Sequence, residues 1–227
     1  MGRYRSGALA VAILVAASGV VADDWPQFRR DSLRSASSAE TGIVEPLSAA
    51  WTADTPTGAS IVNSPVVADG YVRIGSIDGF LRAYDESSGL LLWSYQATEP
   101  IAATPLVDGG RVYVVDRRGT LACLTLATGA AEWSRSVGGQ GFSSPTMAGG
   151  RLVLGTGFPS KTVSSVDPFT GTTFWDKQLP QPSFASPASD GASVWSISND
   201  GKLFRANAAD GAQVWLDSTQ GSPQGIA

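Results

Sequence analysis

The chain has 227 residues, 43% of them hydrophobic and 16% charged, with 26 glycines and a formal net charge of −4. That length can bury a sizeable core, and the low charge fraction with seven tryptophans argues against a disordered chain. With no histidine and a single cysteine, Cys123, the sequence excludes Ser-His-Asp and Cys-His pairings, imidazole metal sites, cysteine zinc clusters, haem attachment and an intrachain disulfide; the mildly acidic balance argues against a general nucleic-acid binder.

In chain order, the first element is a leader. Arg3 and Arg5 precede an apolar run from Ala8 to Ala17, and Val20-Val21-Ala22 fits a small-x-small cleavage pattern. This layout predicts a secretory signal peptide over residues 1–22, cut after Ala22. The alternative is an uncleaved anchor, but the run is short of the roughly 20 residues a spanning helix needs, so no transmembrane segment is expected in the mature chain. The mature chain carries fourteen basic against twenty acidic residues, a net −6. No cysteine stands at the cleavage point, which predicts a periplasmic or secreted protein that is not a lipoprotein. Residues 23–46 read as an extended N-terminal segment, and its basic cluster of Arg29, Arg30 and Arg34 reads as solvated.

Residues 47–227 carry a repeat. Tryptophans stand at Trp51, Trp93, Trp133, Trp175 and Trp215, spaced 42, 40, 42 and 40. Pro65, Pro105, Pro145 and Pro187 keep step with them, and Gly89, Gly129, Gly171 and Gly211 each lie four residues before a tryptophan. One unit reads as four short strands: Ser64–Ala68, Tyr71–Ser76, Phe80–Tyr84 and Leu90–Tyr95. Asp69-Gly70, Asp78-Gly79 and Ser87-Ser88-Gly89 divide them, and Asp-Gly pairs suit the positive φ of tight hairpins. The predicted fold is therefore all-β: a β-propeller of four-stranded antiparallel blades at about 64–95, 104–137, 144–179 and 186–217, because 40–45-residue units of this kind stack radially to cover both faces of each sheet. The constant interval assigns the indoles to packing between blades rather than to a ligand-stacking platform.

The blade ends "AYDESSGLLLW", "CLTLATGAAEW", "SVDPFTGTTFW" and "RANAADGAQVW" resemble the tryptophan-docking motif of the pyrroloquinoline-quinone-like (PQQ-like) repeat propellers, and "DWPQFRRD" resembles the opening of many secreted members. The resemblance covers about residues 24–217. It implies blade-docking roles for Trp51, Trp93, Trp133, Trp175 and Trp215, for Gly89, Gly129, Gly171 and Gly211, and for Asp85 and Asp167. Cys123 and Thr125, Ser165, and Arg205 and Asn207 depart from its alanine-x-aspartate core. WD40 repeats share the period, but their Trp-Asp and Gly-His signatures are missing.

Five tryptophan strands face only four sets of the other three, so Leu47–Ala53 reads as a strand without partners. This predicts about half of an eight-bladed ring, with open edges prone to self-association; a closed four-bladed ring is the alternative. In function, the resemblance implies either a non-catalytic scaffold binding other envelope or secreted proteins, similar to outer-membrane assembly factor B propellers, or a PQQ- and calcium-dependent alcohol or sugar dehydrogenase. The scaffold is the expectation, without catalytic, cofactor or metal residues: the adjacent cysteines that cover PQQ in the alcohol dehydrogenases are missing, and Asp78, Asp85, Asp167 and Asp200 recur at turns rather than in a calcium cluster. Arg117-Arg118 reads as an exposed turn, Arg111 and Arg151 as rim residues, and Cys123 as buried and inert. Phe142, Phe158 and Phe184 fit either a recognition surface or the core.

Overall fold

The computed structural model describes residues 24–38, 49–55 and 58–218; the leader, residues 1–22, and the indole of Trp215 lie outside this set. The described residues form sixteen strands and no helix. β1 (Val66–Ala68), β2 (Tyr71–Gly75), β3 (Phe80–Asp85) and β4 (Leu91–Gln96) make the first sheet, within a residue or two of the strands expected from the turn residues. β5 (Leu106–Asp108), β6 (Arg111–Val115), β7 (Thr120–Thr125) and β8 (Ala131–Ser136) make the second. β9 (Thr146–Ala148), β10 (Arg151–Gly155), β11 (Thr162–Val166) and β12 (Thr173–Gln178) make the third, and β13 (Ala188–Ser189), β14 (Ser193–Ile197), β15 (Lys202–Asn207) and β16 (Gln213–Ser218) the fourth. Each sheet is an antiparallel meander in sequence order, and the four do not close into a ring.

The turns follow from the residues. Ala68 pairs with Tyr71 across Asp69-Gly70, whose φ values are 53° and 76°. A two-residue hairpin loop with both central residues left-handed is the geometry that matches strand twist, and Gly109-Gly110 repeats it. The third unit has no Asp-Gly pair between its second and third strands, and residues 156–161 form a longer loop there.

Period-2 alternation sends each sheet's side chains into two interfaces. Val66, Leu81, Ala83 and Trp93 of the first sheet meet Val112, Val114, Ala122 and Leu124 of the second. Tyr113, Val115, Leu121 and Cys123, on the second sheet's other face, meet Leu152, Leu154 and Val166 of the third. Val153, Val163 and Trp175 then meet Val194, Phe204 and Ala206 of the fourth. Burying one such side chain contributes roughly 1.5–3 kcal/mol, so each of these interfaces holds its two sheets together firmly.

The two end sheets differ. The first sheet's free face, with Val72, Ile74 and Tyr84, is covered by Trp51, Ala53 and Ile61. Of the expected strand Leu47–Ala53, the described residues 49–53 contribute one bridge residue, Trp51, and no strand, because a strand exists only where a neighbour pairs along its length. Among the described residues nothing covers the fourth sheet's last face: Trp195, Leu203 and Arg205 are half-buried, whereas Tyr113 and Cys123 in the corresponding places of the second sheet are buried.

The N-terminal segment corrects the reading of a solvated basic cluster. Trp25 pairs antiparallel with Val67 of β1, and the chain then turns over residues 27–33. Arg34 is only 2% exposed, because its guanidinium finds backbone carbonyls of three separate segments of chain and does not need water. Its burial holds its pKa down at about 10, with Asp31 opposing the fall.

Candidate functional site

Two structural systems surround the sheet array: stations between blades, and the mouth of the hub where the first strands begin. At the stations, each described tryptophan reaches the next sheet's last turn. Trp51 Nε1 donates to the Glu86 carbonyl (2.7 Å), Trp93 to Leu126 (3.2 Å), Trp133 to Pro168 (3.1 Å) and Trp175 to Ala208 (3.0 Å). The accepting turns share one build. Gly89, Gly129, Gly171 and Gly211 have φ of 66° to 74°, and each amide donates to the carbonyl four residues back: Asp85, Thr125, Asp167 and Asn207. Each glycine lies under the indole of the preceding unit. A Cβ would meet Trp51 Cδ2 at 2.6 Å from Gly89, Trp133 Cε3 at 2.8 Å from Gly171, and Trp175 Cδ2 at 2.6 Å from Gly211.

Asp85 and Asp167 serve the turn itself. Asp85 Oδ1 accepts from the amides of Ser87 and Ser88 and from both their hydroxyls; Asp167 Oδ1 accepts from the amides of Phe169 and Thr170. The hydroxyls of Ser87 and Ser88, then the Ser88 amide, hold the Asp85 carboxyl down at about 2. Asn207 fills the same place in the fourth unit and accepts from the Ala209 amide. The glycine four residues before a tryptophan thus packs not on that tryptophan but on the one a repeat earlier.

At the hub mouth, the residue before each conserved-interval proline links neighbouring sheets. The Ser64 amide donates to Thr104 Oγ1 (3.1 Å), the Thr104 amide to Ser144 Oγ (3.0 Å), and the Ser144 amide to Ser186 Oγ (3.0 Å). This belt was invisible in the sequence, where the prolines mark a register and the hydroxyls before them carry no separate signal. Inside it lies a cavity of about 340 Å3 lined by Phe28, Arg29, Asn63, Phe142, Phe184 and Ser186, among others. Phe142 and Phe184 meet edge-on at 5.1 Å, and the Arg117 guanidinium lies 5.0 Å from the Phe142 ring centre. Asn63 Nδ2 donates to the Ile101 and Ala103 carbonyls, which leaves its Oδ1 buried without a hydrogen-bond partner.

Phe142 and Phe184 therefore stand at the mouth, while Phe158 is exposed at the loop between β10 and β11. Arg117 and Arg118 are exposed. Arg111 bonds Glu132 at 2.7 Å, and Arg151 stacks on Phe174 at 3.8 Å. Asp78 pairs with Arg82 at 2.7 Å and accepts from the Phe80 amide. Cys123 is fully buried, and burial pushes its thiol up to about 12. Among the described residues, no group of three or more histidine, cysteine, aspartate or glutamate side chains converges.

A family model described as outer membrane protein assembly factor BamB matches residues 40–140, 100–158 and 117–227. A BamB of Legionella pneumophila (strain Paris) is 25% identical over 157 residues, covering 65% of this chain and 39% of that protein. The chain thus spans well under two thirds of that relative's length. Among solved structures, BamB from Moraxella catarrhalis superposes with a TM-score of 0.68 at 19% identity, over 78% of this chain and 58% of that one. The quinohemoprotein alcohol dehydrogenase of Comamonas testosteroni gives 0.72 at 17% identity, over 86% and 41%. These two likenesses speak for the fold alone. The family match extends over most of the sequence, and the chain belongs to the BamB-like family of PQQ-like repeat propellers.

Proposed function

We propose that this chain is the propeller part of an exported, non-catalytic scaffold that binds other envelope proteins through the hub mouth. The carrying observation is the mouth itself: Phe142, Phe184, Phe28 and two arginines, Arg29 and Arg117, held by a hydroxyl belt on rigid sheets. Rigid β scaffolds commonly present recognition surfaces of this kind, and aromatic and arginine side chains supply most of the energy at protein interfaces. Family membership supports envelope partners, since the matched relatives are named as outer-membrane assembly factors. In this reading the protein reaches the periplasm or beyond by a leader cut after Ala22 and carries no lipid anchor. The tryptophan–glycine stations dock the blades and take no ligand, and the face of the fourth sheet that no described residue covers offers a route to self-association.

A photo-crosslinking residue at Phe142, with another at exposed Phe169 as control, tests the reading. Crosslinks to envelope proteins from Phe142 alone support it; equal yields from both, or none from Phe142, overturn it. The likeness to a quinohemoprotein dehydrogenase motivates a second reading, PQQ-dependent oxidation. Incubation with PQQ and calcium should give no dye-linked alcohol oxidation, and saturable turnover would replace the scaffold with an enzyme.

A further inference from the structure

The first strands of the four sheets, β1, β5, β9 and β13, line the hub as four edge strands. Edge strands carry unpaired backbone groups that recruit another length of chain. Here residues 25–34 engage all four in turn. Trp25 exchanges both backbone hydrogen bonds with Val67 of β1, at 2.6 and 3.0 Å. The Pro26 carbonyl accepts from the Val107 amide of β5 (2.7 Å), and Gln27 Oε1 accepts from Thr146 Oγ1 of β9 (3.1 Å). The Ser32 carbonyl accepts from the Ser189 amide of β13 (2.7 Å). Arg34 then closes the arrangement: Nε donates to the Pro187 carbonyl at 3.0 Å, and Nη2 lies 3.3 Å from the carbonyls of both Ser144 and Pro145.

The side chains are matched to these places. Proline presents a carbonyl where only an acceptor is wanted and brings no competing amide. Gln27 is 7% exposed, so its amide is read and not merely tolerated. The Arg34 guanidinium meets four carbonyls, those of Phe28, Ser144, Pro145 and Pro187, with a fork of donors that a compact ammonium lacks. The backbone is bent to fit: Arg29, Arg30, Arg34 and Ala36 all have φ between 51° and 72°, the left-handed region that non-glycine residues avoid. Local bonds hold the turn, the amides of Arg30, Asp31, Arg34 and Ala36 donating to the carbonyls of Gln27, Arg29 and Asp31, and the contacts of Trp25, Pro26, Ser32 and Arg34 seat it on the sheets.

We infer that the hub edge is a peptide-binding groove with residues 24–38 as its ligand in cis, and that a free peptide of this sequence occupies the same groove in trans. Recognition is strand-edge capture, with specificity from a tryptophan-proline-glutamine triplet followed, seven residues later, by the buried arginine. The segment also gives Phe28 and Arg29 to the mouth of the proposed scaffold, but the inference is read by peptide exchange and not by envelope crosslinks, so the two fail separately.

The test keeps the whole chain. A protease site is placed within residues 39–48, the folded protein is cut, and a fluorescent peptide of residues 24–38 is added to cut and uncut samples. The cut N-terminal piece should stay with the sheets on gel filtration at micromolar concentration. The labelled peptide should exchange into the cut protein and not the uncut one. An Arg34→Ala peptide should compete at least about 30-fold more weakly, since it forfeits charge-assisted bonds to carbonyls. Loss of the piece from protein that stays folded but takes up no peptide overturns the inference. So do unfolding once the piece leaves, equal uptake by the uncut protein, or equal competition by the Arg34→Ala peptide.

Discussion

Gly129→Ala against Gly110→Ala separates the docking contact from the backbone preference. Both glycines are left-handed, at φ 68° and 77°. Each substitution therefore costs about 1–2 kcal/mol for placing a Cβ in that region. At Gly110 nothing lies within 4 Å of the new methyl. At Gly129 it would meet Trp93 Cδ2 at 2.7 Å and Cζ3 at 2.9 Å, a rigid fused ring that cannot swing aside without leaving its pocket. Displacing the indole breaks its bond to the Leu126 carbonyl, worth about 1 kcal/mol, and adds overpacking strain of about 1–3 kcal/mol. Gly129→Ala should thus exceed Gly110→Ala by about 2–4 kcal/mol. For a chain of this size that separates the melting temperatures by about 4–16 °C. Thermal and urea unfolding followed by tryptophan fluorescence measure the gap. Equal destabilisation within about 0.5 kcal/mol would refute the view that the indole–glycine contact, and not turn geometry alone, ties the first sheet to the second.

Further outcomes are expected. Ser144→Ala should destabilise by about 1–3 kcal/mol in urea titration, since it leaves the buried Thr104 amide without its acceptor. In acid, Asp85 matters by sign: its folded pKa lies below the usual carboxylate value, so its contribution is full above about pH 4 and is lost as pH falls toward 2. Asp167, Asp190 and Asp200 are lowered too and add to the same window. Asp85→Asn keeps an Oδ1 acceptor, as Asn207 does, and should flatten the stability loss between pH 4 and 2. Cys123 should resist iodoacetamide at pH 8 in the native protein and react fully in urea, because its thiol is buried and raised to about 12.

The sequence exposed what recurs and hid what joins. Strands of the first unit fell within a residue or two of their observed ends because their turns place Asp69, Gly70 and Gly79 in left-handed backbone whatever surrounds them. That information is local. The partner of Gly129 is Trp93, thirty-six residues earlier, and periodicity alone cannot say whether a glycine packs on its own unit's tryptophan or on its neighbour's, since every offset of one repeat fits the pattern equally. The hydroxyls of Thr104, Ser144 and Ser186 form a belt only once four sheets stand side by side. Arg34 went furthest astray: a basic cluster beside Asp31 reads as solvated, and nothing near it in sequence announces three carbonyls 110 to 153 residues away. The arginine is buried because those carbonyls converge at the hub, and they converge because the radial sheets bring their first strands to one axis. A repeat thus makes its blades predictable and its centre unpredictable: the centre is the one place where all repeats meet a segment that is not itself a repeat.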